Sequence, residues 1–209
     1  MICKTISLAQ NTCLNHGLSS SKEINLESFQ IIFILKMMEV PLREVSFSQF
    51  IQYFPILPLP VVLAEENINI FSQDNIPLPE AIIQQFLYPL EEKEPDEFTE
   101  FLPCFRIAET EGFHAIVYWK GALLNYHYRI ATFTKKGILI DKRTLSGTSV
   151  IEETILKSIA VIDEDWRIRI LSGISHIRES YEPGSSTTLL LELLPEGRIV
   201  EIEDELIPD

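Results

Sequence analysis

Five polar side chains with binding chemistry fall on two neighbouring segments that have the pattern of one β-hairpin. The first arm carries His114 and Tyr118, and the second carries Asn125, His127 and Arg129. The alternating apolar residues define the opposite face: Phe113, Ala115, Val117 and Trp119 in the first arm, and Leu124, Tyr126, Tyr128 and Ile130 in the second. Because side chains alternate along a strand, the five polar residues are predicted to share one face of the sheet.

The register of this hairpin decides which side chains meet. Its loop is centred on Lys120-Gly121-Ala122-Leu123, and an even loop length keeps the two apolar sets together. A two-residue loop places His114 directly opposite His127. A four-residue loop places His114 opposite Arg129 and His127 opposite Ile116. The sequence leaves both registers open.

The shared face is compatible with a small anionic ligand, because it combines hydrogen-bond donors with the permanent positive charge of Arg129. The tighter register would also bring two imidazoles together as metal ligands. No carboxylate or third imidazole joins them on this face, so we predict no metal site. The simpler interpretation, which the sequence favours, is that the face is the solvated side of an antiparallel sheet, where polar side chains are expected without any ligand.

Catalytic signatures are weak. Ser175 and His176 are adjacent in sequence, so on a strand their side chains point to opposite faces. The sequence contains neither a Gly-x-Ser-x-Gly elbow nor a glycine-rich phosphate loop. Cys104 lies among apolar residues, which predicts a buried, inert thiol. We therefore identify no catalytic residue and no cofactor, and enzymatic activity is left open but not favoured.

Short alternating strands follow one another after about residue 100. Turn residues separate several of them, at 135–137, 163–165 and 195–197. Nine strands are predicted, near residues 102–109, 112–119, 124–134, 138–145, 152–162, 166–172, 175–181, 187–194 and 198–203. This pattern specifies an antiparallel β-meander, which must form a curved sheet, a sandwich or a partial barrel.

The chain before residue 96 has a helical and irregular pattern. The predicted elements are a flexible leader over 1–24, a helix from Asn25 that ends before Pro41, a short helix after Ser46 or Ser48, an extended and buried connector over 55–63, a helix over 77–87 and a solvated acidic loop over 91–97. The predicted fold class is α+β, with N-terminal helices and an extended connector packed on a C-terminal antiparallel β-meander. The predicted parts are 1–24, 25–95 and 96–209, and 25–209 is expected to form one compact unit.

Charge and composition argue against several classes of partner. The chain has 209 residues and a formal net charge of −14, and its densest basic group lies around the single turn at 135–137. Nucleic acid binding needs a clustered cationic face, so none is predicted. The longest apolar run, Ile31 to Leu35, is too short to cross a bilayer, so no membrane span is predicted. Three scattered cysteines indicate a reducing, cytoplasmic location.

The sequence therefore predicts a soluble, non-enzymatic binding or protein-interaction module. Trp119, Trp166 and Tyr181 are its candidate interface residues, since exposed aromatic side chains anchor protein interfaces. The alternative is a protein that binds a small anionic ligand, or an enzyme, at the face of His114, Tyr118, Asn125, His127 and Arg129. A protein partner and a homo-oligomer are both compatible with this pattern.

Overall fold

The computed structural model describes residues 45–108, 110–176 and 186–203. The predicted leader over 1–24, the predicted helix that begins at Asn25, the candidate interface residue Tyr181 and the acidic residues after 203 lie outside these ranges. The expectation that 25–209 is one compact unit therefore stays a prediction.

The described residues form ten strands and a few short helices. The α-helices are α1 Phe47–Ile51, α2 Ile68–Asp74 and α3 Glu80–Ile82, and α3 continues through a π-helical turn, Ile83–Leu87, and a 3-10 turn, Tyr88–Leu90. The strands are β1 Ile56–Leu57, β2 Val61–Leu63, β3 Glu100–Ile107, β4 Phe113–Ala122, β5 Asn125–Thr134, β6 Leu139–Ile151, β7 Thr154–Ile162, β8 Arg167–His176, β9 Thr187–Leu193 and β10 Ile199–Ile202. The predicted α+β class is confirmed at the coarse level of a mainly antiparallel sheet with a few short helices, whereas the predicted packing of N-terminal helices on the meander stays a prediction.

Local sequence explains the start of α1. Ser46 caps the helix by accepting a hydrogen bond from the backbone N–H of Gln49, and the Gln49 side chain accepts one from the backbone N–H of Ser46. This reciprocal capping box satisfies donors that a helix start leaves unpaired. The chain leaves the helical conformation before Pro55. The predicted short helix after Ser46 is therefore confirmed.

Strands β3 to β10 pair consecutively and antiparallel, as a meander requires. The three predicted turns join β5 to β6, β7 to β8 and β9 to β10. Gly137 and Gly197 occupy the left-handed backbone region in two of these turns, with φ of 84° and 90°. The predicted strand at 175–181 is wrong at its start, because β8 runs without a break to His176.

The sheet curls at the middle of β6. Gly147 has φ of 143°, and a Cβ there would collide with the backbone of Tyr126. Beyond this point β6 pairs with the first half of β7, while β2 pairs with the second half, Ala160 to Ile162. The hairpin of β9 and β10 returns to β6, where Asp141 Oδ2 accepts a hydrogen bond from the backbone N–H of Ile199 at 3.0 Å. Both ends of the meander thus enclose one core.

Two apolar cores lie on opposite sides of β4 and β5. The inner core gathers Val117, Tyr128 and Ile130 with residues of β7 to β10. The outer core gathers Tyr118 and Phe133 with residues of α1, α3 and the turns that follow α3. The helical segment therefore covers the sheet face that could otherwise have been solvated.

The connector over 55–63 is extended, as predicted, but it is not buried. Ile56 is 55% exposed and Val62 is 46% exposed, whereas Leu63 is fully buried. β1 pairs at the margin of the sheet, and β2 lies on β7, so alternate connector residues point to solvent. Prolines suit these edge positions because they have no backbone N–H to donate to a second neighbouring strand.

No helix among the described residues is long and apolar enough to span a membrane.

Phe50 tests the contribution of the helical cover to stability. Its fully buried ring stacks on that of Phe86, with 4.5 Å between ring centroids. Phe50→Ala is expected to lower the free energy of unfolding by about 3–5 kcal/mol, because it leaves a cavity in a packed core. Urea unfolding measures the change. Gln52→Ala, at an exposed position just after α1, is the matched control and should change the free energy by less than about 0.5 kcal/mol. Equal changes in the free energy of unfolding for the two variants would contradict the burial of Phe50 in the outer core.

Candidate functional site

The β4–β5 hairpin has a different register from either that the sequence left open. Ala122 pairs with Asn125, so Leu123 and Leu124 form a two-residue turn, and Leu124 has φ of 62°. The predicted loop at 120–123 is wrong by two to three residues, because Lys120, Gly121 and Ala122 continue the strand. Side-chain alternation cannot reveal this shift. Moving one strand past the other by an even number of residues leaves the same side chains on the same face.

In the observed register, Tyr118 lies opposite Arg129, Lys120 lies opposite His127, and His114 lies opposite Phe133. All five predicted ligand residues therefore point to one side of the two strands. His114 is six residues along the strand from the position opposite His127, a separation of roughly 20 Å. The register that would pair the two imidazoles is wrong. The described residues contain no cluster of three or more His, Cys, Asp or Glu that could hold a metal ion.

The shared face contains an anion that belongs to the chain itself. Arg129 Nη1 donates to Glu91 Oε1 at 2.6 Å and to Glu91 Oε2 at 2.7 Å, and Lys120 Nζ lies 2.5 Å from Glu91 Oε2. The Tyr118 hydroxyl donates to Glu91 Oε1 at 3.4 Å. The Glu91 side chain is only 3% exposed. Three of the groups that form one end of the face are therefore occupied by a carboxylate.

Glu91 belongs to this site, although the sequence analysis does not identify it. The sequence predicts a solvated acidic loop that begins at this residue, and that prediction is wrong for Glu91, whereas Glu92, Lys93 and Glu94 are exposed. Glu91 directly follows the buried Leu90, whose carbonyl accepts a hydrogen bond from Lys142 Nζ. The signal that could have identified it is that no acidic residue on the same face balances the positive charges of Arg129 and Lys120.

His127 is held at the edge of this network. Its Nε2 lies 2.9 Å from Ser149 Oγ, a contact that fixes the ring. Burial lowers the pKa of His127 below its usual range, and the nearby charges of Arg129 and Lys120 lower it further. Burial also raises the pKa of the Tyr118 phenol. At neutral pH both groups are therefore uncharged and act through hydrogen bonds.

His114 has a separate environment. Its ring centroid lies 5.9 Å from that of Phe47 in α1. Burial lowers the pKa of His114, and the charges of Lys135 and Arg106 act in the same direction. The structure thus separates His114 from the other four predicted ligand residues.

A cavity of about 390 Å³ adjoins the Glu91 network. Asn125, His127 and Arg129 line it, together with Lys120 and the exposed Thr144. Tyr118 and His114 do not line it. Three of the five predicted ligand residues therefore share one concave site.

The candidate interface residue Trp119 lies at a second concavity, which we call the Trp119 groove. Its ring stacks on that of Tyr126, with 6.2 Å between centroids and 16° between planes, and it lies against Gly121. The groove has a volume of about 410 Å³, and residues 99–102 at the start of β3 run along it. Trp166 has its ring edge-on to Phe113, with 5.9 Å between centroids, and packs against the inner core.

Cys104 is fully buried, and burial raises the pKa of its thiol. The prediction of a buried thiol is confirmed, and a thiol in this setting is a poor nucleophile.

No protein-family model matches this chain, and neither the curated proteins nor the solved structures include a significant match to it.

Glu91→Gln tests the buried ion network. The substitution keeps the size of the side chain but leaves Arg129 and Lys120, which are 15% and 23% exposed, without their counter-charge. The free energy of unfolding is expected to fall by about 3 kcal/mol. Glu92→Gln, at the adjacent exposed position, should change it by less than about 0.5 kcal/mol. Chemical denaturation measures both, and equal values would show that Glu91 is solvated.

The lowered pKa of His127 predicts a pH dependence of stability. Because the folded pKa lies below the unfolded value of about 6.5, the unfolded chain binds the proton more readily. Above pH 6.5 the ring is neutral in both states, so its burial does not lower the free energy of unfolding. As the pH falls below this unfolded pKa, protonation of the unfolded chain lowers the free energy of unfolding progressively. Urea unfolding of the wild type and of His127→Gln at neutral and mildly acidic pH measures this. The variant is expected to lose less stability on acidification, and parallel losses would contradict the buried environment of the ring.

Proposed function

We propose that the chain is a non-enzymatic interaction module that binds a short, extended segment of a partner protein in the Trp119 groove. The observation that carries the proposal is the edge of β3 within the groove. β4 pairs with one side of β3, and on the other side β1 pairs only with Arg106 and Ile107. Among the described residues, no strand pairs with this second side at 100–102.

Beyond the groove, the backbone carbonyls on the outer edge of β3 already have a hydrogen-bond partner. Asn75 Nδ2 donates to the carbonyls of Pro103 and Cys104, each at 2.7 Å. Pro103 has its carbonyl on this outer side of β3, so the period-two alternation directs the N–H and C=O of Phe101 to the same side. An unpaired donor and acceptor at a strand edge are the groups that an added strand uses.

The walls of the groove suit apolar side chains. Ile68 of α2 lines the groove, as do Ile83 and Tyr88, which follow α3. Trp119 is held by Tyr126 and Gly121, so its ring loses little conformational entropy when a ligand contacts it. Residues 99–102 span about 13 Å in an extended conformation, which sets the length of the bound segment at roughly four residues.

Charge defines the chemistry of the partner segment. Glu80 and Glu100 both line the groove. Glu80 accepts hydrogen bonds from Gln84 and Tyr88, and neither carboxylate forms an ion pair with a described cation. The Tyr88 pKa is raised, first by burial and then by the charge of Glu80. A segment that alternates apolar residues with Lys or Arg complements this surface, because its cations face the two carboxylates.

A peptide selection tests the proposed function. Random heptapeptides displayed on phage are selected against the full-length chain, and the selected peptides are synthesised for fluorescence-anisotropy titration. We expect enrichment of apolar residues alternating with Lys or Arg. Asn69→Trp, at an exposed position of α2 that lines the groove, should weaken binding at least about tenfold. Gln73→Trp, at an exposed position of the same helix outside the groove, should leave binding unchanged.

Three outcomes would overturn the proposal. The first is the absence of any enriched peptide, and the second is equal binding to wild type and Asn69→Trp. The third is a dimer of the free chain that Asn69→Trp dissociates in analytical ultracentrifugation, because a second copy would then occupy the groove.

A further inference from the structure

The cavity beside Glu91 is independent of the Trp119 groove. The two concavities share no lining residue. The cavity lies where the chain after α3 meets the adjoining ends of β4 and β5 and the middle of β6, and its lining is rich in charged groups. Lys93, Lys120 and Arg129 contribute positive charges, and Glu91 and Glu92 contribute negative ones.

The Glu91 carboxylate does not use all the donors of its two partners. Arg129 contacts both carboxylate oxygens through Nη1 alone. Its Nε is buried without a hydrogen-bond partner, whereas Nη2 makes no hydrogen bond to a described residue and is not buried. Guanidinium groups bind oxyanions most strongly through two nitrogens, so Nη2 remains available for a second acceptor.

Lys120 and His127 extend this donor surface. Lys120 Nζ has three N–H groups, of which Glu91 takes one, and its side chain is partly exposed at the cavity. His127 pairs directly with Lys120 across the two strands, and its contact with Ser149 leaves Nδ1 without a partner among the described residues. When His127 Nε2 accepts from the Ser149 hydroxyl, the neutral ring carries its proton on Nδ1, and three donors on neighbouring positions then border the same space.

We infer that this cavity binds a small oxyanion through Arg129 Nη2, Lys120 and His127. The local charge favours a ligand with one negative charge, because Glu91 already neutralises part of the cationic surface and Glu92 repels a second negative group. The volume of about 390 Å³ lies at the lower end of small-molecule sites, which suits a compact organic carboxylate or the monoanionic form of a phosphate monoester.

Titration of the full-length chain with benzoate and with inorganic phosphate, at constant ionic strength, tests the inference. Nuclear magnetic resonance of the histidine rings is the readout, since His127 borders the cavity and His114 lies elsewhere. We expect saturable shifts of the His127 signals alone. A stronger response to benzoate would identify a carboxylate ligand, and a stronger response to phosphate would identify a phosphate ligand.

Thr144→Trp is the decisive variant. Thr144 is exposed, lines the cavity and lies opposite Arg129 on β6, so an indole there fills the space without disturbing the core. It should weaken the titration at least about tenfold. Thr188→Trp, at an exposed threonine of β9 outside the cavity, is the matched control and should leave the titration unchanged. Lys120→Gln should also weaken binding.

Two results would overturn the inference. One is a titration without saturation for both anions, or equal to that with sodium chloride, which would indicate general ionic effects. The other is equal binding to the wild type and to Thr144→Trp. Neither result bears on the Trp119 groove, because the peptide experiment uses a different surface and a different variant.

Discussion

Strands β4 and β5 bury apolar side chains on both faces, and the rest of the structure depends on this constraint. Val117 and Ile130 face the inner core, while Ile116 and Ala131 face the outer core. One face is covered when the meander curls at Gly147 and brings β7 to β10 against it. The other face is covered by α1, α3 and the turns after α3. Both the strands β7 to β10 and the helical segment are required as covers, because an exposed apolar sheet face of this size would favour aggregation.

The burial of both faces explains the position of Glu91. Tyr118 and Arg129 lie on the outer face, where the helical cover excludes water from most of their surface. A buried guanidinium requires a counter-charge, and the chain supplies Glu91 at the end of the cover segment. Such an ion pair contributes little net stability against its desolvation cost, but it disfavours any docking of the cover that leaves the charges unpaired. It therefore specifies where the helical cover ends on the sheet.

The two concavities lie where this covering is incomplete. The Trp119 groove follows the part of β3 that β1 and Asn75 leave unpaired, so its recognition chemistry is that of a strand edge between apolar walls. The cavity beside Glu91 lies where β4 ends and β5 begins. Three cationic side chains line it, and they outnumber the carboxylates there. Edges and ends of sheets carry unsatisfied polar groups, so binding sites arise there with little cost to the core.

The sequence alone determined the local features of this protein. Period-two alternation placed His114, Tyr118, Asn125, His127 and Arg129 on one face, and turn residues located the β5–β6, β7–β8 and β9–β10 hairpins, because both signals depend on neighbours along the chain. For the same reason the start of α1 was predicted after Ser46 or Ser48, and the structure shows that Ser46 is the cap. Tertiary structure decided the hairpin register, the burial of Glu91 and the exposure of the connector. These depend on contacts such as the one between Glu91 and Arg129, 38 residues apart, whose free energy has no local signature in the sequence. The separation of His127 from His114 and the open edge of β3 likewise follow from how the strands pair and where the helical cover ends.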